Sequence, residues 1–262
     1  MPADNGYLYT VNLAAKQKVG VRLFLCILDC WNDTNITIGI RHRLLAVDTE
    51  YRFKMTFLKN VRQESQALLL SAGYLVNPEL PLLEGAVKFR SEETIVDRAL
   101  ALHLSIAKAY GYPKNLAIAW LKREGCIDSL APQEKEFIEQ GKGENADFKV
   151  KVEAVWLLTW ALSLHENLNP FGVCDNSLIT LLPDLKKDET SQKFRNNAAL
   201  RSCDTLVSML DFLYCLHWSV IEAMRVGEEV PGDLPVYAVA ERRRALEWCC
   251  SEEPWEEITL DT

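Results

Sequence analysis

Hydrophobic and polar positions follow two different periods along this chain, and the change falls near Val61. Before it, Tyr51, Phe53, Met55 and Phe57 alternate with Arg52, Lys54 and Thr56. A strand sends successive side chains to opposite faces, so this alternation predicts a half-buried strand. Residues 21–31 and 36–40 are rich in aliphatic and β-branched side chains, and the polar cluster Asn32-Asp33-Thr34-Asn35 between them predicts a turn. Residues 1–60 are therefore expected to form a small strand-containing N-terminal segment.

From Val61 onward the spacing is helical. A short helix is expected over 63–72, stopped by Gly73, followed by an extended connector at 77–81, where Pro78 and Pro81 push their predecessors out of the helical region. Ser91 is a good N-cap, Glu92 and Glu93 suit the positive first turn, and Gly111 with Pro113 ends the helix. Its stripe is Ile95, Ala99, Leu102 and Ile106. Further helices are predicted over 114–124, closed by Gly125, and from Pro132 to a stop at Gly141, with a polar loop over 141–147. The segment 148–164 predicts the most buried helix, because between 152 and 164 only Glu153, Thr159 and Ser163 are polar. A helix that is apolar on every side belongs in the middle of a bundle. Asp175 is expected to cap a short helix ending at Pro183. Ser202 is expected to cap the longest one, ending near Gly227. The stripe of that helix, Leu206, Leu210, Leu213, His217, Val220 and Met224, alternates steps of four and three. A last helix is predicted over 236–250, with a tail at 255–262. The expected fold is mainly α: an irregular multi-helix bundle over 61–262 behind the segment 1–60.

Composition agrees with a folded protein, since 262 residues at 48% hydrophobic and 25% charged can bury a sizeable core. The net charge of −8 argues against nucleic acid and anionic membrane as partners, because both select clustered Lys and Arg. It suits solubility, or a basic protein partner. None of the eight cysteines has a C-x2-C spacing, so reduced core thiols are expected rather than a zinc site, and with them a reducing compartment. Lys16, Lys18 and Arg22 precede an apolar run at 23–28 that Asp29 closes, too short for a signal peptide. No stretch is read as a membrane span. The expected location is cytoplasmic.

Catalytic and cofactor motifs are absent: no G-x-G-x-x-G, Walker loop, H-E-x-x-H or G-x-S-x-G occurs. No cofactor or metal is expected, with His42, His103, His165 and His217 scattered. The polar residues that ask for an explanation are on the two last long helices. Asp211, Tyr214 and Trp218 are three and four apart and share a face, and His217 sits in the apolar stripe. If the helices over 203–226 and 236–250 pack together, Asp211 and Glu241 can face Arg242, with Arg201 and Glu153 close enough to join. One reading is a ligand or acid–base pocket between facing helices. The other is a buried hydrogen-bond and ion-pair network that fixes helix register. The triplet Arg242-Arg243-Arg244 points in three directions and makes no binding stripe.

Several segments in order carry a family resemblance. They are Val61-Arg62-Gln63-Glu64-Ser65 through Leu80-Pro81-Leu82, then Phe89-Arg90-Ser91 and Arg98-Ala99-Leu100-Ala101-Leu102. Val152-Glu153-Ala154-Val155-Trp156 and Trp160-Ala161-Leu162 follow, then Leu200-Arg201-Ser202 with Asp211, Tyr214, His217 and Trp218. Glu241-Arg242, Ala245-Leu246, Trp248, Trp255 and Asp261-Thr262 complete the set. Over 61–262 the chain resembles the bacterial family known as domain of unknown function 4272. The resemblance implies no activity, and it does not extend to residues 1–60. Two functional expectations stand: a non-enzymatic binding or interaction protein, and an enzyme or small-ligand binder using the Asp211–Tyr214–His217–Glu241–Arg242 cluster.

Overall fold

The structure, a computed structural model, describes residues 54–83 and 88–261 together with the short segments Tyr9–Thr10 and Phe24–Leu25. The chain divides into two compact units, residues 1–60 with 81–86, and residues 61–80 with 87–262. In the first unit, β1 (Tyr9–Thr10) and β2 (Phe24–Leu25) pair antiparallel with Tyr9 opposite Leu25. The turn expected at 32–35 and the strand expected at 36–40 lie outside the described residues.

The strand expected through 51–57 is corrected. Residues 54–57 are helical and open α1, which runs over 54–71, while 51–53 lie outside the described residues. A few alternating positions fit either period, and the longer pattern decides: Val61, Ser65 and Leu69 are buried at steps of four. Arg62 is buried on the same side.

The second unit is mainly helical. Its further helices are α2 (Glu92–Ala109), α3 (Lys114–Arg123), α4 (Pro132–Gln140), α5 (Asn145–Lys149), α6 (Val152–Ala161), α7 (Leu178–Leu181), α8 (Gln192–Asn197), α9 (Cys203–Val226) and α10 (Val236–Cys249). The punctuation residues act as expected. Ser91 Oγ accepts from the Thr94 N–H at 3.2 Å and Ser202 Oγ from the Thr205 N–H at 3.3 Å, each satisfying a first-turn donor. Gly141 and Gly227 close α4 and α9 at φ 72° and 76°, where a side chain would be strained. The Ile95–Ala99–Leu102–Ile106 stripe of α2 is buried throughout, and that of α9 is buried except at Met224.

The most apolar segment is central, but it is not one helix. Residues 150–151 form a turn between α5 and α6, and α5 takes the last residues of the expected polar loop. Phe148 stacks on Phe137 at 3.8 Å, and that packing carries a segment whose own sequence is weakly helical. In α6, Glu153 through Ala161 are all buried. α10 packs on both α6 and α9, while α2 lies along α6 with α3, α4 and α5 beside it. Asp175 is corrected from helix cap to turn former: its Oδ1 accepts from the Ser177 N–H at 2.6 Å, before α7 begins. α9 also amends the reading that nothing is span-like. By length and composition it could cross a membrane, yet 67% of its apolar window is buried inside the protein, as in a core helix.

Candidate functional site

Three arginine–carboxylate pairs bind the helices together from inside. Burying a charge is costly unless it is paired and its remaining donors are filled, so each pair implies a precise local arrangement. Arg62 on α1 meets Asp211 on α9, with Nη2 2.7 Å and Nε 3.1 Å from Oδ1. Ser65 Oγ donates to Asp211 Oδ2 at 2.8 Å, and Arg62 Nη1 donates to the Leu80 carbonyl at 2.7 Å. Arg242 on α10 meets Glu153 on α6, with Nε 2.9 Å from Oε2 and Nη1 donating to the Asn169 carbonyl at 2.9 Å. The other oxygen of Glu153 accepts from the Cys174 N–H at 2.8 Å. Arg98 on α2 meets Glu134 on α4 in a two-pronged contact, both distances 2.7 Å.

These pairings redistribute the expected cluster. Asp211 does not face Arg242, and Glu241 joins neither pair: among the described residues its ion-pair contact is Arg244 at 4.0 Å, and its buried Oε2 has no hydrogen-bond partner there. The helical triplet explains why. Arg242 turns toward α6, leaving Arg243 on the α9 side, a split that adjacent helical positions impose. Arg201 lies elsewhere, donating to the Trp160 carbonyl at 2.7 Å and to Glu166 at 2.9 Å. Trp218 is half-buried.

Around His217 the geometry fixes a tautomer. Arg243 Nη1 lies 3.1 Å from His217 Nδ1. A guanidinium only donates, so Nδ1 accepts and the ring proton resides on Nε2. Burial, with Arg243 and Arg244 nearby, lowers the His217 pKa to about 4, so the ring is neutral. Tyr214 lies between two guanidinium groups, 5.5 Å from Arg62 and 4.7 Å from Arg243. Burial raises its pKa against the opposing effect of both cations. Cys215, with Sγ 3.9 Å from Asp211 Oδ2, is pushed up to about 12 by burial and by that carboxylate. Arg243 also holds the tail, donating to the Leu260 and Asp261 carbonyls at 3.3 and 3.1 Å, and Arg244 donates to the Ile258 carbonyl at 2.9 Å.

Sequence reasoning missed Arg62, Ser65, Arg98, Glu134 and Arg243. A signal existed for three of them: Arg62 and Ser65 lie among the apolar positions of α1, and Arg243 lies in line with Val239 and Leu246. A polar residue in an apolar stripe demands a partner. The six described cysteines are free, and among the described residues no group of His, Cys, Asp and Glu is arranged to hold a metal.

No curated protein and no solved structure matches the chain. A family match covers residues 61–258, which take in α2 to α10 and all three buried ion pairs. The chain belongs to the family described as domain of unknown function 4272.

Proposed function

We propose that this chain is a non-enzymatic binding module whose partner is a basic protein. One observation carries the reading: apart from Glu241, the charged groups and the histidine of the polar cluster are already occupied by partners inside the protein. Asp211, Glu153 and Arg242 are consumed in two ion pairs, and the Nδ1 lone pair of His217 is taken by Arg243. A thiolate, not a thiol, is the nucleophile, and burial pushes the thiols of Cys126, Cys174, Cys215 and Cys250 up to about 12. Asp211, His217, Arg242 and Arg243 are at most 5% exposed, which weighs against a ligand pocket between α9 and α10.

The choice of partner rests on charge. The net charge is −8, and Glu252, Glu253, Glu256 and Glu257 are exposed in one short segment beside the buried Trp255. Opposite charge steers encounter and is screened by salt. A reducing, cytoplasmic setting belongs to the same reading and is supported by the free cysteines. The test is affinity capture from lysate of the host, with wild type and a variant carrying Glu→Lys at 252, 253, 256 and 257. The expected result is one basic protein in stoichiometric amount, released by salt and lost in the variant while its melting temperature is kept. Capture indifferent to both salt and charge reversal would overturn the proposal.

A further inference from the structure

A cavity of about 490 Å³ opens where the end of α6 meets α7 and α8. Its polar wall is Ser163, Thr180, Lys193 and Asn197. Its apolar wall is Leu164 and Leu181, both half-buried, with the edge of Phe194, which is 3% exposed, behind them. Such a division, a few polar groups against an apolar surface, is how small-molecule sites are built.

Ser163 is the informative residue. It closes α6 in the left-handed region at φ 55°, with its N–H bonded to the Trp160 carbonyl and the Leu164 N–H bonded to the Thr159 carbonyl. That pair of bonds is a helix-ending motif whose positive-φ position is normally glycine. The turn requires the conformation; nothing in it requires a hydroxyl. Serine here is strained relative to glycine, and its side chain is half-exposed, making no hydrogen bond to another described residue. The strained side chain instead lines the cavity.

The other polar groups are open as well. Lys193, Thr180 and Asn197 are all exposed; among the described residues Lys193 has no ion pair and the Asn197 amide bonds to no other residue, so each is free to meet a ligand in place of water. Thr180 Oγ1 donates to the Ser177 carbonyl at 2.7 Å and keeps its lone pairs for a donor. One ammonium with neutral hydrogen-bond donors matches a single negative charge. A dianionic phosphate favours more cations or a guanidinium fork. The nearest arginine in sequence, Arg195, is committed to Asp97 at 2.6 Å.

We propose that this cavity binds a small amphipathic carboxylate, its head group held by Lys193, Ser163 and Asn197 and its apolar body against Leu164, Leu181 and Phe194. The proposal does not rest on the protein-binding reading and fails separately from it. The test is titration of the full chain with hexanoate, with acetate, hexanol and hexyl phosphate as comparisons, followed by NMR shifts of the Phe194 ring and by calorimetry. Hexanoate should bind saturably and more tightly than the other three. Lys193→Gln, a change at an exposed position, should weaken it about tenfold, as expected for loss of one charged hydrogen bond. Ser163→Gly should also weaken hexanoate while raising the melting temperature, a separation of binding from stability that a purely structural serine does not produce. Hexanoate binding no better than hexanol, or unchanged in Lys193→Gln, overturns the proposal. So does a lowered melting temperature in Ser163→Gly, and tighter hexyl phosphate overturns the choice of head group.

Discussion

Asp211 illustrates how much one buried residue can decide. Its carboxylate is 1% exposed and receives Arg62, Ser65 and, more weakly, Cys215. Removing the charge from one member of a buried pair leaves the other uncompensated, which typically costs about 3–5 kcal/mol. Asp211→Asn is therefore expected to destabilise the protein by an amount near that range, read by urea denaturation. The double change Arg62→Met with Asp211→Leu should recover much of the loss, because it removes both charges together. A loss below about 1 kcal/mol in Asp211→Asn would show that Arg62 finds compensation elsewhere. Glu153 and Arg242 obey the same logic, since Arg242 is 1% exposed and Glu153 2%. The polar residues were legible from sequence as residues needing partners. Their partners were not, because Asp211 pairs with Arg62 at a separation of 149 positions, and Arg242 with Glu153 at 89. Local spacing says which face a side chain takes and nothing about what distant element covers that face.

Helices in this fold are defined at their ends by single residues, and those ends were the most legible feature. Ser91, Pro132, Gly141, Ser202 and Gly227 stand where α2, α4 and α9 begin or stop, each for a local reason of hydrogen bonding or backbone conformation. Ser202→Ala removes the acceptor for the Thr205 N–H and is expected to cost about 1 kcal/mol, measured as a lower denaturation midpoint. Ser202→Asp should retain most of that stability, because its carboxylate caps equally well and favours the helix N-terminus. Where local signals were weak, tertiary contacts prevailed. The alternation before Val61 gave way to α1, and the segment expected as one helix over 148–164 is divided by a turn at 150–151, with Phe148 of α5 stacked on Phe137 of α4. At the tail, Trp255 is buried beside Trp248 at a ring distance of 5.7 Å, with the Arg98 guanidinium 4.0 Å from its ring. Trp255→Ala should therefore loosen the whole 255–261 segment, seen as faster amide exchange there than in α10.

At the scale of the whole molecule, burial lowers the pKa of three described histidines, His103, His165 and His217, and so makes stability depend on pH in one direction, with the largest shifts at His103 and His217. Burial lowers His103 to about 4, opposed by its contact to the Pro183 carbonyl, and burial with Arg243 and Arg244 lowers His217 to about 4. In the unfolded chain both take up a proton near pH 6.5. Between these values the unfolded state binds more protons than the folded one, so stability is full above pH 6.5 and falls as the pH drops toward 4. The limit is on the order of 3 kcal/mol per histidine, and solvent screening at the half-buried His103 reduces its share. His217→Gln separates this effect from the general protonation of carboxylates. The glutamine side-chain oxygen can still accept from Arg243, but it does not titrate. Urea denaturation across the window from pH 6.5 down to 4 should show a shallower loss in His217→Gln than in wild type, with the two curves converging in slope above it. Equal slopes throughout would mean that the Arg243–His217 contact yields on protonation, with Arg243 keeping only its hold on the tail carbonyls of Leu260 and Asp261.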